Sequence, residues 1–320
     1  MSSTPRRRFT RFGDWHDFLN KPHREGSAEI NLYELRRACY EDIEQVRQRP
    51  LIVYAVHFPV PVTQPPLNPP ISIDLDDIDG FTDLAESVDQ ASDKVDVLIH
   101  SPGGSPEATE RIVDILRGRF QEVTFIIPHS AYSAATMLAL SGEEIILLPS
   151  ASLGPIDPQI GGVPTRALRR GFEKARKALK EEGPESLPAY LPLIEKYSLE
   201  LLEICEDYER LSRELATQWL SEYMFRGQGN SEIIERAVDF FSSYDDHKTH
   251  SRALTYRRLQ PLGLHITSAE GELKNLMREA HVLLRGFFDL SPFIKIYETS
   301  TGLSWGRQLS VLNPAPPIDK

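Results

Sequence analysis

Residues 95–118 decide the fold, and they read VDVLIHSPGGSPEATERIVDILRG. The nearly continuous apolar run at 95–100 predicts a strand that is buried on both faces, and the segment from Pro106 onward has the apolar spacing of a helix. Gly103 and Gly104 lie between them, where glycine permits backbone conformations that a side chain forbids. We therefore predict a strand, a glycine turn and a helix. The turn is either only a tight connection or a place where backbone N–H groups bind a developing oxyanion.

The same alternation of strand and helix continues on both sides of this stretch. Short apolar runs at 71–75, 123–128 and 144–149 predict further buried strands, and helical patterns separate them. Strands that alternate with helices are typical of βαβ units and a parallel sheet. The fold class that we predict is therefore α/β.

The rest of the chain divides into four segments. We predict a flexible N-terminal arm at 1–30, the α/β core at 31–188, a helical extension at 189–290 and a C-terminal tail at 291–320. The extension includes a long helical pattern at 189–226, with further helices near 230–242 and 267–286. The tail ends in NPAPPIDK, which is too rich in proline for regular structure.

Composition excludes several classes of protein. The formal net charge of -11 argues against a nucleic-acid-binding protein, which needs a basic face. The sequence has no apolar stretch of the roughly 18 to 20 residues that a membrane helix needs, and its N-terminus does not resemble a secretory signal. Cys39 and Cys205 match no metal or redox spacing, so we predict buried thiols, no bound metal and a cytoplasmic protein.

A serine follows the strand at 123–128, in the sequence AYSAAT at 131–136. Ser133 stands where a strand passes into a helix, and the N–H of Ala134 comes directly after it. A nucleophile at such a junction is helped by the helix N-terminus and by the following N–H group. The alternative is a serine that caps the helix, which is a common arrangement.

Three motifs occur together in residues 95–162: Pro-Gly-Gly at 102–104, the small-residue serine motif at 131–136 and LGPIDPQ at 153–159. In this order they resemble the serine dehydrogenase proteinase family of the Clp/crotonase superfamily, which is related to signal peptide peptidase A and to the Clp protease proteolytic subunit. The resemblance implies repeated ββα units with a parallel sheet and added C-terminal helices. It also implies a homo-oligomer that acts on a peptide or protein substrate and needs no cofactor.

The resemblance assigns roles to four residues. Ser133 would be the nucleophile that forms an acyl-enzyme, and the N–H groups of Gly103 and Gly104, with that of Ala134, would bind the oxyanion. The general base is less directly indicated. The segment SASLGPIDPQ has no histidine where the Clp protease subunit has one, and relatives similar to signal peptide peptidase use a lysine on a later helix.

The lysine of those relatives has no direct counterpart here. Residues 197–226 contain no lysine, and Arg213 occupies the aligned stretch. Because arginine stays protonated, it cannot act as a general base. We therefore predict Lys196 as the base, which would need a lowered pKa. His247 and His250 resemble a histidine pair of the family, and we interpret them as hydrogen-bonded structural residues near the site.

Two functions remain open from the sequence. The first is a cytoplasmic serine peptidase that acts through Ser133 and a lysine. The second is a catalytically inactive member of the same fold that serves as an oligomeric scaffold or peptide-binding module. A third reading, an acyl-CoA enzyme, is disfavoured because a serine stands in the motif, and no Gly-x-Gly-x-x-Gly sequence indicates a dehydrogenase.

Overall fold

The computed structural model describes residues 6–19, 31–58, 70–183, 185, 187–195 and 199–308. The strands are β1 (Leu51–Val56), β2 (Lys94–His100), β3 (Glu122–Ile127), β4 (Ser130–Ala131), β5 (Glu144–Leu147), β6 (Ser152–Leu153), β7 (Gln159–Ile160), β8 (Val163–Pro164), β9 (Leu254–Thr255), β10 (Ile266–Ser268), β11 (Phe293–Thr299) and β12 (Ser304–Gln308). The helices are α1 (Phe12–Leu19), α2 (Leu32–Arg47), α3 (Asp77–Glu86), α4 (Pro106–Arg119), α5 (Ala134–Leu140), α6 (Thr165–Glu182), α7 (Leu187–Glu195), α8 (Leu199–Trp219), α9 (Ser231–Ser242), α10 (Tyr244–His247), α11 (Tyr256–Leu259) and α12 (Gly271–Leu290).

The largest sheet in the described chain has seven strands in the order β10-β5-β3-β2-β1-β11-β12. The strands from β10 to β1 are parallel to their neighbours, whereas β11 and β12 pair antiparallel at one edge. This arrangement confirms the predicted α/β class with a mainly parallel sheet. Because β1, β2, β3 and β5 follow one another across the sheet, their carboxyl ends meet at one edge, where ligands bind in such folds.

Burial explains why the central strands read as unbroken apolar runs. Every residue of β1 and nearly every residue of β2 and β3 is buried, so both faces of the sheet must be covered. Helices α3, α4 and α5 pack in sequence as one layer, and α2 packs against α12 as another. Helix α12 also carries the chain from β10, at one edge, back to β11 beside β1.

The segment at 71–75 differs from the predicted strand. Only Ile73 forms a β-bridge, to Gly104, and the chain then turns at once into α3. The turn forms because Asp77 N–H donates to the carbonyl of Asp74, and the Asp77 carboxylate accepts from the N–H of Asp74. An aspartate side chain that binds nearby backbone groups favours such a turn over a strand.

Two segments that we assigned to an arm and a tail contain regular structure. In the N-terminal segment, Phe9 and Trp15 are buried, and the Trp15 ring lies on Gly286 of α12. Residues 293–299 form β11, which pairs with β1 over five residues. Within the helical pattern at 189–226 the structure describes α7 and α8, and the α8 end continues as a π-turn at Leu220–Met224.

Candidate active site

The glycine turn lies directly against the serine motif. Gly103 has a φ of 97°, and a Cβ atom at this position would lie 2.3 Å from Tyr132 O and 2.7 Å from Ser133 Cβ. Only glycine accepts both the positive φ and this close approach. The predicted glycines and the predicted nucleophile are therefore brought together at the carboxyl edge of β2 and β3.

A short segment, 72–74, holds the glycine turn from its other side, and we name it the strap. The N–H of Ile73 donates to Gly103 O at 2.8 Å, and the N–H of Ser105 donates to Ile73 O at 2.8 Å. A Cβ atom on Gly104 would lie 2.1 Å from Ile73 O, so this glycine is also required by close packing. Ser105 then begins α4 by accepting a hydrogen bond from Ala108 N–H.

The N–H groups of the turn differ in their partners. Gly103 N–H donates to Ser101 Oγ at 3.2 Å. In the part of the chain that the structure describes, the N–H groups of Gly104 and Ala134 have no acceptor. Ala134 is buried and Gly104 is partly buried, and backbone N–H groups in such places are usually paired, so two unpaired groups beside a serine indicate a place for an oxygen atom of a ligand.

Ser133 has a strained backbone. Its φ of 51° and ψ of −123° lie in a region that few residues other than glycine adopt. It immediately precedes α5, yet its side chain makes no capping hydrogen bond. The alternative of a serine that caps the helix is therefore not what the structure has, and strain of this kind is concentrated at functional sites.

A small sheet brings a distant segment beside the serine motif. Strand β6 pairs parallel with β4 and antiparallel with β9. The bond between Gly154 N–H and Thr136 Oγ1, at 2.9 Å, joins β6 to α5, and a Cβ atom on Gly154 would lie 3.1 Å from Tyr132 Cα. Gly154, which directly follows β6, therefore lies against Tyr132, and the segments that adjoin β6 and β9 start near the serine motif.

Asp157 and His250 form a pair in these segments. Asp157 Oδ1 lies 2.9 Å from His250 Nδ1, and the aspartate side chain is 4% exposed whereas that of the histidine is 20% exposed. A buried carboxylate that binds one ring nitrogen of a partly exposed histidine fixes the orientation of the ring. Asp157 also lines a cavity of about 180 Å³ with Thr165, Arg213 and Ser242.

The other histidines play different parts. His247 Nε2 lies 2.6 Å from the carbonyl oxygen of Phe240. His129 Nδ1 lies 2.7 Å from Ser130 Oγ, and its ring stacks on that of His281 with centroids 4.5 Å apart. His100 lies edge-on to both rings. We name His100, His129 and His281 the histidine cluster.

Burial keeps the histidine cluster neutral. Desolvation, with His129 nearby, lowers the pKa of His100 to about 4. Desolvation, with His100 and His129 nearby, lowers the pKa of His281 to about 2. The pKa of His129 is also lowered, first by burial and then by Arg285. These rings therefore carry no charge at neutral pH.

The predicted site residues separate into two sets. The structure brings together Ser133, Gly103, Gly104 and Ala134, whereas Lys196 lies outside the described residues. Arg213 is held by Ser242 Oγ at 2.6 Å and by Asp239. Sequence reasoning placed His250 near the site but gave it no partner, because Asp157 is 93 positions away in the chain.

Two negative findings concern the described residues alone. None of their helices has both the length and the apolar character that spanning a membrane requires. No three of their histidine, cysteine, aspartate or glutamate side chains are grouped so that they could bind a metal ion.

Comparison with known proteins gives a family match in the same part of the chain. Residues 71–183, about a third of the sequence, match the family of ClpP-like SDH-type serine proteinases, and this confirms the resemblance inferred from the motifs. An uncharacterized protein of Methanocaldococcus jannaschii is 30% identical over 190 residues, which cover 59% of this chain and 56% of that protein. A second uncharacterized protein of that organism is 38% identical over 80 residues, 25% of this chain and 28% of its own length.

The chain therefore spans about half, or less, of the length of the curated relatives that it matches. Among solved structures, a ClpP1 mutant from Listeria monocytogenes is similar over 64% of this chain and 90% of its own, with 16% identity and a TM-score of 0.36.

Proposed function

We propose that this protein, whose residues 71–183 match a family of serine proteinases, hydrolyses peptide bonds through an acyl-enzyme on Ser133. One observation carries the proposal. A strained serine abuts a glycine turn, and the N–H groups of Gly104 and Ala134 beside it have no acceptor among the described residues. A nucleophile next to two unpaired N–H donors is the arrangement that acyl transfer requires.

The base in this proposal is His250, with Asp157 as its partner. When Asp157 accepts the Nδ1–H of His250, the lone pair of the imidazole lies on Nε2, which can then take the proton of a hydroxyl group. Two strand pairings support this assignment. Strand β4, just before Ser133, pairs with β6, and β6 pairs with β9, while Asp157 follows β6 by four residues and His250 precedes β9 by four. Lys196, which the sequence predicted for this role, is the competing candidate.

The reaction then has two steps, acylation of Ser133 and hydrolysis of the acyl-enzyme. Ser133 Oγ forms a bond to the peptide carbonyl carbon while His250 takes the hydroxyl proton, and the C–N bond breaks as that proton passes to the leaving amine. Water next attacks the acyl ester, gives its proton to His250 and releases the carboxylic acid, while Ser133 recovers its proton. Gly104 and Ala134 N–H donate to the carbonyl oxygen while it carries negative charge.

The remaining parts of the proposal concern assembly and location. Leu187 and Leu191 on α7 and Ile204 on α8 are exposed apolar side chains, which supports the predicted homo-oligomer. Cys39 and Cys205 are both free, which supports a reducing compartment such as the cytoplasm. Size-exclusion chromatography with light scattering tests the assembly, and we expect a mass of at least two chains of 36.3 kDa, whereas the mass of one chain would contradict the oligomer.

A fluorophosphonate labelling series tests the chemistry. We expect wild-type protein to gain one adduct, mapped to Ser133 by intact-mass and peptide mass spectrometry, and Ser133→Ala to gain none. His250→Gln and Asp157→Asn should slow labelling by at least about 100-fold and about 10-fold, respectively, since each removes part of the activating pair. Lys196→Met should label at the wild-type rate.

For each residue in this series, one result would contradict the role that we propose for it. An unlabelled wild-type serine would refute the peptidase and favour the inactive scaffold. Labelling that depends on Lys196 and not on His250 would retain the peptidase but return the base to the lysine. Hydrolysis of fluorescein-labelled casein by Ser133→Ala would show that the serine is not the nucleophile.

A further inference from the structure

A buried lysine outside the family-matched segment supports the strap that holds the glycine turn. Lys295 lies on β11, and its side chain is 1% exposed. It is the one lysine among the described residues that the protein buries. A buried ammonium is unfavourable unless every donor is paired, so its partners identify its task.

Two of those partners belong to the strap. Lys295 Nζ donates to Ser72 O at 2.7 Å and lies 3.2 Å from Asp74 Oδ2. It also lies 2.9 Å and 3.0 Å from the two carboxylate oxygens of Asp77, which is fully buried. The lysine therefore joins the strap to the first turn of α3.

The carboxylate of Asp77 is fixed in turn by neutral donors. Tyr297 OH and Tyr54 OH both donate to it, and so does the N–H of Asp74. A carboxylate with this many donors and a lysine that it neutralises form a rigid unit. Strands β1 and β11 supply that unit with Tyr54, Tyr297 and Lys295.

The strap transmits this position to the candidate oxyanion donors. Between Ser72 and Asp74, which Lys295 holds, Ile73 makes both of its backbone hydrogen bonds to the glycine turn, one to Gly103 O and one from Ser105 N–H. The unpaired N–H of Gly104 lies between those two bonds. A shift of the strap therefore moves the N–H group that would bind the oxyanion.

We propose that Lys295 is a positioning residue of the active site, which sets the place of the Gly104 N–H through Ser72 and Ile73. The proposal rests on the proposed function, since the Gly104 N–H has a catalytic task only if Ser133 is a nucleophile. It assigns to strand β11, which lies outside the family-matched segment, a part in the chemistry of residues 71–183.

The test measures the second-order rate of fluorophosphonate labelling at Ser133 across a pH series. The variant Lys295→Met is expected to lower the maximal rate by about 10- to 100-fold, because displaced oxyanion donors cost that much. The midpoint of its pH profile should remain that of wild type, since His250 and Asp157 are unchanged. A defect in the base would instead move the midpoint.

Two further variants separate positioning from loss of folding. Lys295→Met/Asp77→Asn removes both charges and therefore leaves no unpaired carboxylate in the core. Its labelling rate can be measured in place of that of Lys295→Met if the single variant does not fold. Arg36→Met is the matched control, since Arg36 and Glu298 form an equally buried ion pair that also involves β11 but has no bond to the strap. All rates are compared well below the Tm of each variant, with folding confirmed by circular dichroism.

A double variant tests whether Lys295 acts on the glycine turn through the strap. Ile73→Pro removes the N–H that binds Gly103 O, and Lys295→Met added to it should slow labelling by less than about threefold further, because both act on one element. Arg36→Met should label within about twofold of wild type.

Three results would overturn the proposal. Wild-type labelling rates in the folded Lys295 variants would show a purely structural ion pair. Equal slowing in the Lys295 variants and Arg36→Met would show a general effect of stability. An unlabelled wild-type Ser133 would overturn both this inference and the proposed function, and that outcome is distinct from the first two.

Discussion

The histidine cluster predicts that the protein loses stability in mild acid. His100 and His281 have pKa values of about 4 and about 2 in the folded protein, both below the ordinary value of 6.5. The unfolded chain therefore binds more protons than the folded one as the pH falls below 6.5. The contribution of these histidines to the free energy of unfolding is therefore complete above that pH and is lost progressively on acidification.

The two shifts set the magnitude. The pKa is 6.5 in the unfolded chain for both residues, and in the folded protein it is about 4 for His100 and about 2 for His281. From these values, lowering the pH from 7.5 to 5.0 decreases the free energy of unfolding by about 2 kcal/mol for each histidine. Together the pair contributes about 4 kcal/mol, which is a large share of the stability of an ordinary domain.

The variant His281→Phe isolates this contribution. It keeps an aromatic ring for stacking on His129 and removes the buried Nδ1, which has no partner among the described residues. Urea unfolding at pH 7.5 and pH 5.0 should show a decrease in stability that is smaller by about 2 kcal/mol in the variant. An equal decrease in both proteins would refute the assignment of a depressed pKa to His281.

Three substitutions test other contacts. Gly103→Ala places a Cβ atom 2.3 Å from Tyr132 O at a φ of 97°. We expect it to lower the free energy of unfolding by about 2 to 3 kcal/mol and to abolish labelling of Ser133. Wild-type stability in urea would contradict this packing. Ser105→Ala removes the N-cap of α4 and should cost about 1 kcal/mol in urea unfolding, and no change would exclude the cap. Gly286→Ala places a Cβ atom 2.5 Å from the Trp15 ring, so thermal unfolding should begin earlier and tryptophan emission should shift to the red; an unchanged spectrum would show that α1 does not pack there.

The central sheet was predictable because its physical cause is visible in the sequence. Strands buried on both faces favour apolar residues at nearly every position, and β2, β3 and β5 read that way apart from a few residues such as Asp96, whose buried carboxylate pairs with Arg47. The glycine turn was predictable for a similar reason, since Gly103 and Gly104 each lie where a Cβ atom would meet backbone atoms.

The Asp157–His250 pair was not predictable from spacing. The two residues are 93 positions apart, and the pairing of β6 with β9, which joins their segments, spans only two residues on each strand. Strands this short leave no periodic pattern in a sequence. The LGPIDPQ motif contains Asp157, but no sequence feature near it indicates which histidine is its partner.

Strand β11 shows a different limit of sequence reasoning. Its sequence, FIKIYET, contains Lys295, Glu298 and Thr299 among apolar residues, which is not typical of a strand that is buried on both faces. The structure buries nearly all residues of the strand, since Lys295 and Glu298 are each neutralised by an ion pair inside the protein. Because the partners Asp77 and Arg36 lie more than 200 positions away, the sequence does not reveal the pairing.

The pH dependence of Ser133 labelling by a fluorophosphonate, measured on wild type, His250→Gln and Lys196→Met, tests the central claim most directly. The account predicts a single adduct on Ser133, with a rate that follows one titration in wild type and Lys196→Met and loses that titration in His250→Gln. Unlabelled wild-type protein, or a titration that persists in His250→Gln, would contradict it.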